Sequence, residues 1–219
     1  MSSLLVPLSE PVSGPLSGPL SGPRRPPAGA GERVQRPTSE FPVLHLEPAI
    51  PVGGWEVVVD GLVAEPLAWP VTTVRSMFAE SRSWDLHCAW SWSQLGSHWE
   101  GVPAGRLIDA ARPLPGARYV VATAAGEGYA SCLPLHRARR CLLAWRLDGA
   151  ELAAEHGGPL RLVPPPKKWA YKGVKWISRL TLISDFSPGF WEDAVGDPHG
   201  DIPDDVIDRT SAARRPGNH

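Results

Sequence analysis

Cysteine is scarce in these 219 residues, with only Cys88, Cys132 and Cys141. An odd number at wide spacing excludes a disulfide framework, and the absence of a C-x-x-C pair removes the usual ligand spacing for zinc. A reducing compartment is the simplest setting. Neither sign of charge dominates: 22 Lys+Arg against 23 Asp+Glu give a net charge of −1. That excludes the basic excess of a nucleic-acid or membrane-surface binder. No apolar run approaches the roughly 20 residues a spanning helix needs. Arg24-Arg25 is followed by Pro26-Pro27 and by no apolar segment, so neither a twin-arginine nor a secretory signal is read, and a cytoplasmic location is expected.

Phe and Tyr are also few, at 4 and 3, whereas Trp reaches 10. Trp is large and carries an N–H that needs a partner, so this bias suggests a core with polar pockets. With 25 Pro and 22 Gly, the chain favours turns and short strands over long helices.

Residues 1–37 contain a four-residue Ser-Gly-Pro repeat from Val12 to Pro23 and are expected to form a disordered tail. Residues 38–195 are expected to form the folded domain, and 196–219 a polar tail that frays from about Arg209. Within the domain the pattern predicts strands at Trp55–Val59, Trp84–Cys88, Arg118–Thr123 and Val174–Ser184. The last of these carries Val174, Trp176 and Leu180 on one face. Asp148-Gly149 predicts a hairpin turn. Short helices are expected at Thr72–Ala79, capped by Thr72 or Thr73, at Pro103–Ala111 and at the basic Leu135–Cys141. Helix and strand do not alternate regularly, so the fold expected is α+β, dominated by mixed or antiparallel sheet.

Three clusters carry chemistry. Cys88 lies in Leu86-His87-Cys88-Ala89-Trp90-Ser91-Trp92-Ser93 at a strand exit, where a soft thiolate can project from a rigid element. A lone cysteine is more often a small buried hydrophobe. A hydrolase pairing of Cys88 with His87 is poor, because adjacent strand residues face opposite ways. The second cluster runs from Glu155 to Val163 through His156-Gly157-Gly158, with Arg161 able to make two parallel hydrogen bonds to an anion. In the third, Tyr171-Lys172-Gly173-Val174-Lys175-Trp176, two lysines flank a glycine whose N–H could face an anion. Either of these alone reads as an ordinary turn or strand edge.

Taken together and in this order, the clusters resemble the sulfite oxidase-like molybdopterin-binding oxidoreductases, of the bacterial, haem-free, single-domain type. The resemblance covers roughly Phe41 to Trp191 and includes Trp55 to Val63, Trp99-Glu100-Gly101-Val102-Pro103 and Leu143-Ala144-Trp145. It implies that Cys88 ligates molybdenum of a Mo-molybdopterin cofactor. It further implies that His45, Thr123, His156, Arg161, Lys172, Gly173, Val174 and Lys175 contact that cofactor. The implied reaction is two-electron oxygen-atom transfer.

The sequence departs from the sulfite oxidase pattern in two places. Pro42-Val43-Leu44-His45 lacks the substrate-site Arg, and no Tyr follows Trp191. A small S-oxide or N-oxide is therefore the expected substrate rather than sulfite. Trp90 is expected to narrow access to the metal, and Trp99 to pack in the core. No haem, flavin or Fe–S motif is present, so a separate electron-transfer partner is implied, and the basic stretch His136 to Arg140 could dock an acidic one. No nucleic-acid or membrane partner is implied, and the oligomeric state is left open. The alternative is a binding or scaffold protein that keeps this fold without turnover.

Overall fold

The computed structural model describes residues 55–89, 92–126, 129–195 and 197–213, together with the backbone of Arg36–Pro37; the side chains of 211–213 are not included. His45, Trp90 and almost all of the expected N-terminal tail lie outside the described residues. Arg36 and Pro37 form a short strand, β1, so the expected tail enters the sheet at its last two positions.

The strands that follow are β2 (Glu56–Gly61), β3 (Leu67–Pro70), β4 (Glu80–His87), β5 (Trp92–Pro103), β6 (Tyr119–Ala124) and β7 (Ala130–Pro134). They continue as β8 (Leu142–Leu147), β9 (Ala150–Glu151), β10 (Arg161–Val163) and β11 (Ile177–Ile183). Helices α1 (Val71–Ser76), α2 (Ala104–Ala110), α3 (Leu135–Ala138), α4 (Phe190–Val195) and α5 (Asp204–Ala213) are short. None of the described helices is long and apolar enough to cross a membrane.

The strands build two sheets, and the fold is α+β with mixed and antiparallel pairing. The first sheet runs β1-β5-β8-β10, with β4 on β5 and β9 on β8; the second runs β3-β2-β11-β6-β7. Among the described strands of the second sheet only β2 and β11 are parallel, with Arg179 opposite Val58. The main core lies between the sheets. It joins Val57 and Val59, Val120 and Ala122, and Leu180 and Leu182 to Val102, Leu143 and Leu162 from the first sheet, with Leu107 and Ile108 of α2. The opposite face of the first sheet carries a second cluster of Leu86, Trp99, Leu142, Ala144, Leu152 and Val163.

Helices α1, α2 and α3 each begin directly after a proline that ends a strand: Pro70, Pro103 and Pro134. Proline holds its predecessor extended and fixes its own φ, so strand passes to helix at that residue. This corrects the expected cap at Thr72 or Thr73, since no side chain caps α1. The Asp148-Gly149 turn has φ of 50° and 80°, the pair of positive values that a tight hairpin requires.

Two further expectations are corrected. The strand expected from Val174 begins only at Ile177, because Trp176 adopts a left-handed backbone with φ of 51°. Its indole Nε1 donates to the Ala154 carbonyl at 2.9 Å and its carbonyl accepts from Ala125 N at 2.7 Å, which hold it there. The C-terminal segment does not fray at Arg209. Helix α5 runs on to Ala213, and Val206 and Ile202 pack with Ala89 and Trp169.

Candidate active site

Cys88 is the first residue beyond β4 and is 9% exposed. Its position is fixed from both sides. Cys88 N donates to the Trp92 carbonyl at 2.9 Å, closing the turn between β4 and β5. Before it, His87 is buried, its Nδ1 lies 2.7 Å from Ser93 Oγ, and its backbone bridges to Trp169. After it, Ala89 packs against Trp169. Leu86, two residues earlier, belongs to the second cluster, so strand alternation directs Cys88 toward that same face of the first sheet.

Arg161 opens β10 opposite Ala144 of β8 and shares the face of Val163 and Ala144. It is buried, and its Nη1 donates to the His156 carbonyl at 2.8 Å. The guanidinium carbon lies 5.8 Å from the Trp99 ring centroid, a cation–π contact. Trp99 thus packs in the core as expected and also serves as the platform for Arg161, a role the sequence alone did not reveal.

His156 ends a single 3₁₀ turn, Ala154–His156, and Gly157 follows with φ of 103°. A Cβ at Gly157 would lie 2.9 Å from Lys175 Cα, so glycine is what lets this turn close on the Lys175 segment. Trp176 N donates to the Gly157 carbonyl at 3.2 Å, and Lys175 Nζ donates to the Glu155 carbonyl at 2.7 Å. These bonds bring His156, Arg161 and Lys175 into one rim. Burial lowers the His156 pKa below its ordinary value, and Arg161 and Lys175 push the same way against Glu155. The imidazole is therefore neutral near neutral pH.

The rest of the Lys-Gly-x-Lys stretch is turned inward, contrary to expectation. Lys172 is 0% exposed, and its three ammonium donors go to Glu192 Oε1 at 2.7 Å, the Cys132 carbonyl at 2.7 Å and the Pro198 carbonyl at 2.8 Å. A lysine with all three donors committed to the interior has none for a cofactor. Gly173 N donates to the Ala170 carbonyl at 2.9 Å rather than facing an anion. Val174 is buried, and its N–H and carbonyl both pair with Leu162. Thr123 pairs with Arg179 in the second sheet, on the outer face that carries the Arg179–Asp60 ion pair, so its spacing from Cys88 does not bring it to this rim. Lys175 is the part of the stretch that joins the site.

Glu192 was not anticipated. Its Oε1 accepts from Lys172, from Ser131 Oγ at 2.7 Å and from Cys132 N at 3.0 Å. No local pattern pairs two residues 20 positions apart on either side of β11, and the sequence carried no signal for it.

Among the described residues no group of three or more His, Cys, Asp or Glu side chains could by itself hold a metal ion. The described residues offer a buried thiol at the exit of β4 and a rim of two cations and a neutral imidazole. That donor set suits an anionic ligand which brings most of a metal's coordination with it.

Comparison with known proteins points to such a ligand. Residues 45–191 match the family described as oxidoreductase molybdopterin binding domain. The chain is 35% identical over 164 residues to the uncharacterized oxidoreductase YuiH of Bacillus subtilis, an alignment covering 72% of this chain and 81% of that one. It is 32% identical over 165 residues to the protein-methionine-sulfoxide reductase catalytic subunit MsrP of Gluconobacter oxydans, covering 67% of this chain and about half (52%) of the relative. The fold is similar to that of the sulfane dehydrogenase SoxCD from Paracoccus pantotrophus, with a TM-score of 0.58 at 23% identity over 64% of this chain and 41% of that one. The chain therefore belongs to the sulfite oxidase-like molybdopterin-binding oxidoreductases and is an enzyme of that family, with Mo-molybdopterin as its cofactor.

Proposed function

We propose that the Cys88 thiolate ligates molybdenum and that the enzyme transfers an oxygen atom to or from a small uncharged or zwitterionic S-oxide or N-oxide rather than sulfite. The observation that carries this reading is a cysteine buried and pinned at the exit of β4, together with an Arg161 guanidinium tied to the His156 turn. The residues fit the cofactor. A thiolate is a soft ligand, and guanidinium and ammonium groups complement a phosphate. The bound cofactor supplies the two-electron oxygen-atom chemistry, and the protein supplies binding, orientation and electrostatics.

Each side chain has a distinct part. The turn set by Cys88 N and the Trp92 carbonyl orients the thiol. Arg161 presents a preoriented guanidinium, because the His156 carbonyl and the Trp99 ring fix its plane. His156, held neutral, donates or accepts a hydrogen bond without adding charge. Lys175 supplies a second cation at the rim. His45 and Trp90 retain the parts assigned from the sequence: a further cofactor contact and a screen over the metal.

The substrate class rests on chemistry missing from the sequence. Pro42-Val43-Leu44-His45 offers no guanidinium to hold an oxyanion, and no Tyr follows Trp191. The printed activity of the Gluconobacter relative, reduction of protein methionine sulfoxide, points to the same class. Electrons come from a separate carrier, and the cytoplasm is the setting that suits so few, widely spaced cysteines.

The test is purification from a host that makes molybdopterin, with elemental analysis and X-ray absorption at the metal. The wild-type chain is expected to carry about one molybdenum and to reduce methionine sulfoxide or trimethylamine N-oxide. Cys88→Ser is expected to unfold at the wild-type temperature and to lose a sulfur neighbour at the metal. Full molybdenum with unchanged sulfur coordination in Cys88→Ser would overturn the ligand assignment.

A further inference from the structure

A polar pair is buried at the neck of the turn that carries Cys88. His87 ends β4, and Ser93 is its register partner on β5. The two residues are 3% and 0% exposed, and His87 Nδ1 lies 2.7 Å from Ser93 Oγ. One position further along, Cys88 N donates to the Trp92 carbonyl at 2.9 Å. The chain entering the turn is thus held at two consecutive residues, first by a side-chain bond and then by a main-chain bond.

The strands are shaped to present this pair. The register steps from Trp84 opposite Ser97 to Leu86 opposite Gln94, so Asp85 alone faces both Leu95 and Gly96. Gly96 has φ of 70°, and its N–H donates to Asp85 Oδ1 at 2.7 Å. An extra residue in one strand raises the local twist and re-aims the side chains beside it. On the other side of the turn, the His87 backbone bridges to Trp169, and Trp169 packs with Ala89, Ile202 and Val206. The backbone on both sides of Cys88 is therefore braced.

Burying an imidazole and a hydroxyl is costly, and two apolar side chains would avoid that cost. What the polar pair adds is direction, because a hydrogen bond weakens steeply as its angle departs from linear. By strand alternation His87 points away from the Cys88 side chain. Its influence on the thiol passes through the backbone that the two residues share.

We propose that His87, locked by Ser93, is a positioning residue that sets the direction of the Cys88 thiol. The proposal rests on the reading of Cys88 as the molybdenum ligand. A ligand must be held within about 0.5 Å of its working position by neighbours that are themselves locked. His87 and Ser93 supply that lock without touching the metal or the substrate.

The test compares wild type with His87→Phe, Ser93→Ala and His87→Asn. Phenylalanine keeps the bulk of the ring and loses the bond, whereas asparagine keeps a polar atom close to the place of Nδ1. In the full chain made without molybdopterin, the rate at which iodoacetamide labels Cys88 is read by peptide mass spectrometry. His87→Phe and Ser93→Ala are expected to raise that rate about fivefold, with His87→Asn within about twofold of wild type. In the loaded protein, X-ray absorption counts the sulfur neighbours per molybdenum. That count is expected to fall toward the Cys88→Ser value in His87→Phe and to recover in His87→Asn. A lower melting temperature in His87→Phe, with Cys88 labelling and the sulfur count both unchanged, would reduce the pair to a fold contact and overturn the proposal. So would a His87→Asn variant no better than His87→Phe. If Cys88→Ser itself leaves the sulfur count unchanged, the ligand reading fails, while the labelling rates still decide whether His87 directs the thiol.

Discussion

Arg161 donates to the main-chain oxygen of His156 at 2.8 Å while its guanidinium lies over the Trp99 ring. One buried cation thereby ties the His156 turn to a tryptophan of β5, two segments that do not adjoin in sequence. The contact fixes both where the positive charge sits and which way the guanidinium plane faces.

Replacing Arg161 should separate charge from geometry. Arg161→Lys keeps the cation but loses the planar fork and the stacked contact. We expect molybdenum content to fall in Arg161→Lys and further in Arg161→Ala. The alanine variant should lose about 2 kcal/mol of stability through the broken charged hydrogen bond. Elemental analysis and urea unfolding measure the two effects, and a fully loaded Arg161→Ala would remove Arg161 from the cofactor contacts.

Lys172 and Glu192 form an ion pair with side chains 0% and 1% exposed. Removing one partner strands the other charge in the interior. Lys172→Met alone should therefore cost about 3–5 kcal/mol, and K172M/E192Q should cost less than the sum of the two single changes. Additive single-variant effects in denaturant unfolding would show that the two charges are not coupled.

The lowered pKa of His156 sets a sign for pH dependence. The unfolded chain protonates this histidine near its ordinary value of about 6.5, while the folded site resists until lower pH. The stabilising contribution is full above the unfolded value and is lost as pH falls from there through the folded pKa. The melting temperature of the cofactor-free protein should drop between about pH 7 and 5, and His156→Gln should reduce that drop. An equal drop in His156→Gln would assign the titration to other groups.

Burial pushes the Cys141 thiol up to about 12 and also raises the Cys132 thiol. Both are protonated at mildly alkaline pH and enclosed by the core. Iodoacetamide at about pH 8 should leave both unmodified in the native protein and label them after unfolding, as read by peptide mass spectrometry. Rapid native labelling of Cys141 would show that its surroundings open.

The hairpin at Asp148-Gly149, the strand leading into Cys88 and the helix near Leu107 were legible because each rests on local chemistry: turn residues, β-formers and apolar spacing. Strand β5 was not legible. Its twelve residues include Ser, Gln, Gly and His among the tryptophans, and β4 and β8, pairing along its edges, hold it extended. Trp176 likewise broke an apparently continuous strand, because its left-handed backbone is held by Ala154, Gly157 and Ala125 from elsewhere in the chain.

The sequence by itself determined the family and the cofactor, because the ordered clusters are properties of residue type and spacing. Tertiary structure decided how each polar group is used. Lys172 and Lys175 look alike three residues apart, yet one is closed into the core by Glu192 and the other reaches the Glu155 carbonyl at the site rim. Thr123 falls on the outer face of the second sheet, and Trp99 becomes the platform for Arg161. A donor's partners come from strands and turns far away in the chain, so only the folded arrangement distinguishes a lysine that holds the frame from one that stands at the rim.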